Sequence, residues 1–404
     1  MVHEVKLKNG LTVVAEVLPE AKSVALGYFV RTGARDERPE ESGVSHFLEH
    51  MVFKGPEDLD ALTVNLLFDR MGAQYNAFTS EEATVYYGAV LPEFGLELLR
   101  LFTRLLRPAL RLEDFQLEKQ VILEEIARYE DRPGAMAFEW ARRAFFQDHP
   151  LGNSVLGSRD SITALTRDQM ADYHQRRYVP QNLLLALSGR LDLPRVLEEV
   201  EALTEGWTGG ADRAYPPLLP RVGKERRPYA KARQLYLVGL WPGVAFQDER
   251  RYAAGVLTHL MGEEAGRLYW ALVDRGLAET ASFGHEEADR AGFFYAYVQA
   301  DPAHEALVEE ALSEELSRLS RQGVTEDEVA RARTALATGV VFAGETPMQR
   351  LFHLGLHYLY TGRYEPLDQA KARILSVTRE EVMALLEEAP FQKGFTLSVV
   401  PDGV

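Results

Sequence analysis

The same order of strand-like and helical segments runs twice through this chain, and no other feature limits its fold as strongly. Ser23–Val30 and Gln234–Leu240 each read as a β-rich opening, from their run of apolar, β-branched and aromatic residues. Helical segments follow, then a further strand, Ala83–Val90 in the first half and Gly292–Val298 in the second. A long acidic helix begins near Glu113 and again near Thr325. Leu165-Thr166-Arg167-Asp168-Gln169-Met170 then matches Val377-Thr378-Arg379-Glu380-Glu381-Val382, and each half closes on a strand, Asn182–Leu187 or Phe395–Val400. Between the halves, Ala214-Tyr215-Pro216-Pro217-Leu218-Leu219-Pro220 runs into Gly223-Lys224-Glu225-Arg226-Arg227-Pro228, prolines and charges without apolar periodicity, which reads as an extended linker. The expectation is an α+β chain of two similar domains from an internal duplication, residues 1–212 and 231–404 around a linker at 213–230. Each domain is expected to be an antiparallel-rich sheet packed with helices.

A length of 404 residues already exceeds a typical single core, and 46% hydrophobic with 26% charged residues is an ordinary globular balance. No run approaches the roughly 18 apolar residues that span a bilayer, so no membrane partner is expected. The N-terminal stretch Met1-Val2-His3-Glu4-Val5-Lys6-Leu7-Lys8 lacks the apolar core of a secretory signal, which points to the cytoplasm. Cysteine is absent, so any metal must rest on histidine and carboxylate. A formal net charge of −16 argues against nucleic acid and reads as a solvated acidic surface.

The chemistry concentrates in His46-Phe47-Leu48-Glu49-His50. Two histidines one helical turn apart project from one face. The flanking residues support a helix: Ser42 is placed to cap its start, and Lys54-Gly55-Pro56 to stop it. Val44, Phe47, Leu48, Met51 and Val52 form the stripe of a core-facing helix, leaving His46, Glu49 and His50 on a stripe beside it. A catalytic zinc with two histidine ligands needs a third protein ligand and an open position for water. Without cysteine, a carboxylate of the acidic helix beginning at Glu113 is the source. Glu118 and Glu125 share a helical face but stand roughly 10 Å apart along the axis, so one is a ligand and the other orients an imidazole. Spacing leaves open which is which. Glu124 lies about 100° round the helix from Glu125 and reads as solvated. A second pair at helical spacing, His353-Leu354-Gly355-Leu356-His357, has leucine where the motif needs glutamate, and reads as packed histidines.

In these residues and their surroundings the sequence resembles the insulysin, pitrilysin and mitochondrial processing peptidase family, the inverted zincins. The resemblance rests on Ser45-His46-Phe47-Leu48-Glu49-His50-Met51-Val52-Phe53-Lys54-Gly55 and on Asn76-Ala77-Phe78-Thr79-Ser80 leading into Thr84-Val85-Tyr86-Tyr87. Glu118-Lys119-Gln120-Val121-Ile122-Leu123-Glu124-Glu125-Ile126 and His149-Pro150-Leu151-Gly152-Asn153-Ser154-Val155-Leu156-Gly157 extend it over nearly the whole chain. It implies Zn2+ held by His46, His50 and Glu125, with Glu118 as the supporting carboxylate and Glu49 as the general base. It further implies that Asn76, Ala77 and Phe78 lie on an edge strand to which a substrate main chain adds, and that the two domains face each other as a half-chamber. The activity implied is that of an endopeptidase for unfolded peptides. The alternative is a catalytically silent peptide-binding or scaffold subunit.

One stretch departs from the family pattern. Where the second half of active members carries an arginine and a tyrosine, Ala271-Leu272-Val273-Asp274-Arg275-Gly276-Leu277-Ala278-Glu279-Thr280 offers Leu272 or Val273 and Glu279. Thr258-His259-Leu260-Met261-Gly262, at the place of the metal motif, has no metal-binding pattern. The expectation is therefore a dimer, either of identical chains or, preferred, with a paralogous subunit that supplies the Arg/Tyr pair.

Overall fold

A computed structural model describes residues 2–388 and 390–403. Taken over these residues, the chain forms two compact units. The first draws on Met1–Ile126, Asn153–Ala214 and Ala343–Glu365, the second on Ala127–Gly152, Tyr215–Phe342 and Pro366–Val404.

The first unit holds a six-stranded sheet built from β1 (Val2–Lys6), β2 (Thr12–Val17), β3 (Val24–Val30), β4 (Gln74–Thr79), β5 (Thr84–Val90) and β6 (Leu183–Gly189), in the order β1-β2-β6-β3-β5-β4. Only β2 and β6 run parallel; the other neighbours are antiparallel. Every residue of β3 and β6 is buried, which is why both read as continuous apolar runs rather than alternating ones. Their side chains still alternate between faces. Val24, Leu26, Tyr28 and Val30 enter one core with Phe47, Phe102 and Ile122, while Ala25 and Phe29 enter another with Leu351 and Leu354.

The second unit repeats this plan with β7 (Gly223–Pro228), β8 (Leu235–Pro242), β9 (Thr280–Ala288), β10 (Ala291–Ala300) and β11 (Phe395–Val400), ordered β7-β11-β8-β10-β9. Strand for strand this is the order β2-β6-β3-β5-β4, and the single parallel pair, β7 with β11, stands where β2 pairs with β6. Shared order and shared strand directions are the structural form of the sequence repeat. Odd positions of β8 (Leu235, Leu237, Trp241) pack into one core, and even ones (Val238, Leu240) into a second with Ala137, Ala141 and Phe145.

These units differ from the contiguous blocks 1–212 and 231–404 expected from sequence. Each sheet is apolar on both faces, and the helix covering the second face comes from the other half of the chain: Pro347–Thr361 on the first sheet, Pro133–Phe146 on the second. The span expected as linker also carries structure. Arg213 bonds Asp36 at 2.7 Å within the first unit, and Tyr215 donates to Asp289 at 2.7 Å within the second. Gly223–Pro228 is edge strand β7, whose charges are those of a solvent-facing edge: Lys224 meets Glu309 at 2.6 Å and Arg226 meets Glu305 at 3.1 Å.

Candidate metal centre

The helix carrying the motif spans Val44–Val52, and its apolar stripe, Val44, Phe47, Leu48, Met51 and Val52, is fully buried. Ser42 does not cap it. Gly43 occupies the N-cap at φ +90°, where a Cβ would also meet the Leu156 carbonyl oxygen at 2.7 Å. The amides of Gly43 and Ser45 donate to the two carboxylate oxygens of Glu37, each at 2.8 Å. Burial pushes the Glu37 carboxyl up to about 8, against the pull of those two N–H groups.

Along the open stripe, His46 Nε2 lies 3.2 Å and His50 Nε2 lies 3.7 Å from Glu125 Oε2. One ligand-type atom from each of the three residues falls within 4.8 Å of the others, and no other such group occurs among the described residues. The imidazole rings stand 4.7 Å apart and steeply inclined. Burial alone would push the His46 imidazole down, but hydrogen bonds to Glu125 and Glu49 and their charges raise it to about 9. Two imidazoles and one carboxylate are the nitrogen and oxygen donors of a catalytic transition-metal site, so the residues fit a zinc-type ion.

Glu118 lies behind this group. Its Oε1 is 2.8 Å from His50 Nδ1 and its Oε2 is 2.5 Å from Lys54 Nζ. Burial would raise the Glu118 carboxyl, but the hydrogen bonds from His50 and Lys54 win and hold it below the usual range. The two carboxylates reach different imidazole edges: Glu125 meets the converging Nε2 atoms, and Glu118 meets Nδ1. Both come from the helix Leu112–Glu130, and Glu124 is exposed.

Glu49 is 9% exposed, and its Oε2 lies 3.7 Å from His46 Nδ1 and accepts a hydrogen bond from Thr79 Oγ1 at 2.6 Å. The contacts of Thr79 with Glu49 and of Lys54 with Glu118 were not expected from the sequence, although both residues lie inside the motif strings. Asn76, Ala77 and Phe78 fall on β4, the edge of the first sheet, and the Ala77 amide donates to Asn76 Oδ1 at 2.9 Å.

Elsewhere, the two packed histidines behave as expected. His353 Nε2 meets the Glu365 carbonyl at 2.8 Å and His357 Nδ1 the Arg363 carbonyl at 2.9 Å. In the second unit, His259 Nδ1 lies 3.4 Å from Glu263 near the end of the helix Arg251–Gly262. Leu272 is buried in the core, and Glu279 accepts a hydrogen bond from Gln234 at 2.6 Å.

Several known proteins are similar to this chain. A family model described as insulinase (peptidase family M16) matches residues 12–159, and one described as the peptidase M16 inactive domain matches residues 164–336. An uncharacterized zinc protease of Streptomyces coelicolor is 34% identical over 399 residues, covering 96% of this chain and 87% of the relative. One of Bacillus subtilis is 28% identical over 413 residues, covering 100% of this chain and 99% of the relative. Two solved structures share the fold. A protease from Helicobacter pylori matches with a TM-score of 0.91 at 22% identity, over 99% of this chain and 100% of that one. A peptidase M16 inactive domain from Pseudomonas fluorescens matches with a TM-score of 0.89 at 19% identity, over 99% and 98%. With a zinc-type donor set on an inverted motif and relatives that span it almost end to end, this chain belongs to the insulinase family, peptidase family M16.

Proposed function

We propose that this chain is a zinc-dependent endopeptidase acting on unfolded peptides inside a chamber, as the metal-bearing subunit of a dimer. The observation that carries the reading is the convergence of His46 Nε2, His50 Nε2 and Glu125 Oε2 beside a buried, hydrogen-bonded Glu49. Zinc bound there supplies an acidified water and a polarised scissile carbonyl. Glu49 is placed to hold on its carboxylate the proton given up by the attacking water as the new C–O bond forms, and would return it to the leaving amine nitrogen as the C–N bond breaks. Glu118 keeps His50 in the tautomer and orientation that expose Nε2. The free edge of β4 at Asn76, Ala77 and Phe78 takes the substrate main chain as an added strand, which selects extended peptides over folded proteins. The Asn76 side chain now bonded to the Ala77 amide yields that position to the substrate.

The Arg/Tyr pair that Leu272, Val273 and Glu279 do not provide comes from a partner subunit, a paralogue in preference to an identical chain. Among the described residues no helix is long and apolar enough to cross a membrane. A silent peptide-binding subunit is the competing reading. The missing pair favours it and the intact base Glu49 speaks against it, since a structural metal site needs no base.

The test is cleavage of an unstructured fluorogenic peptide by the zinc-loaded protein, alone and with such a paralogue, using Glu49→Gln as control. Turnover is expected to fall by about 100-fold or more in Glu49→Gln with metal retained. Turnover absent from every combination would replace the peptidase by the silent subunit.

A further inference from the structure

Thr79 ends the edge strand β4, and its hydroxyl donates to Glu49 Oε2 at 2.6 Å, the length of a charge-assisted bond to a carboxylate. The donor is rigidly mounted. Ser80 N–H bonds the Ala83 carbonyl at 2.8 Å, and Ser80 Oγ receives the amides of Glu82 and Ala83 at 3.2 and 3.1 Å. Arg35 forms a buried ion pair with Glu82, and Arg213 Nη2 bonds the Glu82 carbonyl at 2.5 Å. The turn beyond Thr79 is thereby locked from two sides, and the hydroxyl has a fixed point from which to hold the carboxylate. With Oε2 taken by Thr79 and faced by His46 Nδ1, Glu49 Oε1 has no bonded partner among the described residues.

We propose that Thr79 is the positioning residue of the general base: it holds Glu49 by Oε2 so that Oε1 receives the proton, and it ties the orientation of the base to the strand that takes the substrate. This rests on the reading of Glu49 as base and β4 as substrate strand. It adds a specific coupling, because a main chain laid on β4 steadies the same strand end from which the hydroxyl reaches Glu49. A purely structural threonine, pinning β4 to the motif helix, would contribute to stability but not to the reaction.

Two substitutions separate these roles. Thr79→Val keeps the shape and removes the donor, and Thr79→Ser keeps the donor. Each is compared, zinc-loaded and with a partner subunit if turnover requires one, for kcat, KM, bound zinc per chain and Tm. A misplaced base predicts that kcat falls by about 10- to 100-fold in Thr79→Val with KM and bound zinc unchanged, and that Thr79→Ser stays within about threefold. Calorimetric affinity for a peptidyl hydroxamate supplies a readout free of turnover, because that probe joins the metal and needs a carboxylate acceptor beside it. Thr79→Val and Glu49→Gln are each expected to weaken it about tenfold, and Thr79→Ser to leave it unchanged. Thr79→Val matching the wild type in kcat and hydroxamate affinity would overturn the proposal, as would Thr79→Ser failing as badly as Thr79→Val. Should valine not fold at the strand end, Thr79→Ala carries the same expectations. If the wild type cleaves no peptide under any condition, the peptidase reading has failed, and the hydroxamate series alone decides whether Thr79 orients Glu49.

Discussion

At the residue scale, Lys54, Glu118 and His50 form one line of contacts, 2.5 Å from amine to carboxylate and 2.8 Å from carboxylate to imidazole. The lysine ammonium holds one oxygen of Glu118 so that the other faces Nδ1, which leaves Nε2 free to take a metal under the function proposed above. Lys54→Met is therefore expected to weaken zinc binding by about tenfold, read by competition with a chromophoric chelator, while Lys54→Arg retains most of the affinity. Equal affinity in Lys54→Met and wild type would reduce the lysine to a surface charge. The histidines and Glu49 were legible in the sequence because all three sit within five consecutive residues of one helix. Glu118 and Glu125 were legible as a pair only, since helical phase puts both on one face. Thr79 and Lys54 were not, because their roles depend on contacts reaching 30 residues along the chain in one case and across to another helix in the other. Ser42 has the residue type of a cap, yet the Glu37 carboxylate, six and eight residues before the amides of Gly43 and Ser45, takes the helix start instead.

At the element scale, the helix Pro347–Thr361 explains a glycine that helix propensity alone would disfavour. A Cβ at Gly355 would stand 2.2 Å from the ring of Phe29, a fully buried side chain of β3. The glycine lets helix and sheet approach closely, which offsets its propensity cost. Gly355→Ala is expected to destabilise the first unit by about 1–3 kcal/mol through overpacking, seen as a lower Tm. An unchanged Tm would mean that the ring has room to move. Strands β3, β5, β6, β8, β10 and β11 were all legible, being long apolar runs bounded by turns. Strand β7 was not. Its Lys-Glu-Arg-Arg sequence has no apolar face to display, because it lies at an edge and is held by backbone bonds to β11 and by ion pairs.

At the scale of the whole molecule, the prediction concerns what the chain lacks. Residues 271–280 contain neither the arginine nor the tyrosine of the family pattern where it needs them, and Leu272 is part of a core that a guanidinium would disrupt. Adding a paralogous subunit that carries both is expected to raise peptide turnover about 100-fold over the chain alone, as recovery of transition-state donors would. A chain that alone matches the mixture would remove the need for such a partner. The sequence by itself determined the repeat, the α+β class, the helix that carries the His46–His50 motif and the short list of carboxylates. Each of these is written in local periodicity or in adjacent residues, which the chain expresses whatever its tertiary arrangement. Only the tertiary structure decided that Glu125 meets the two Nε2 atoms, that Glu37 caps the motif helix, and that each sheet borrows a helix from the other half. The first depends on a contact between residues 79 positions apart at the candidate metal centre, the second on a loop that brings the Glu37 carboxylate back to the helix start six residues on, and the third on two-faced sheets whose second apolar face can be covered by any suitable helix. Local residue type and periodicity carry no signal for any of the three.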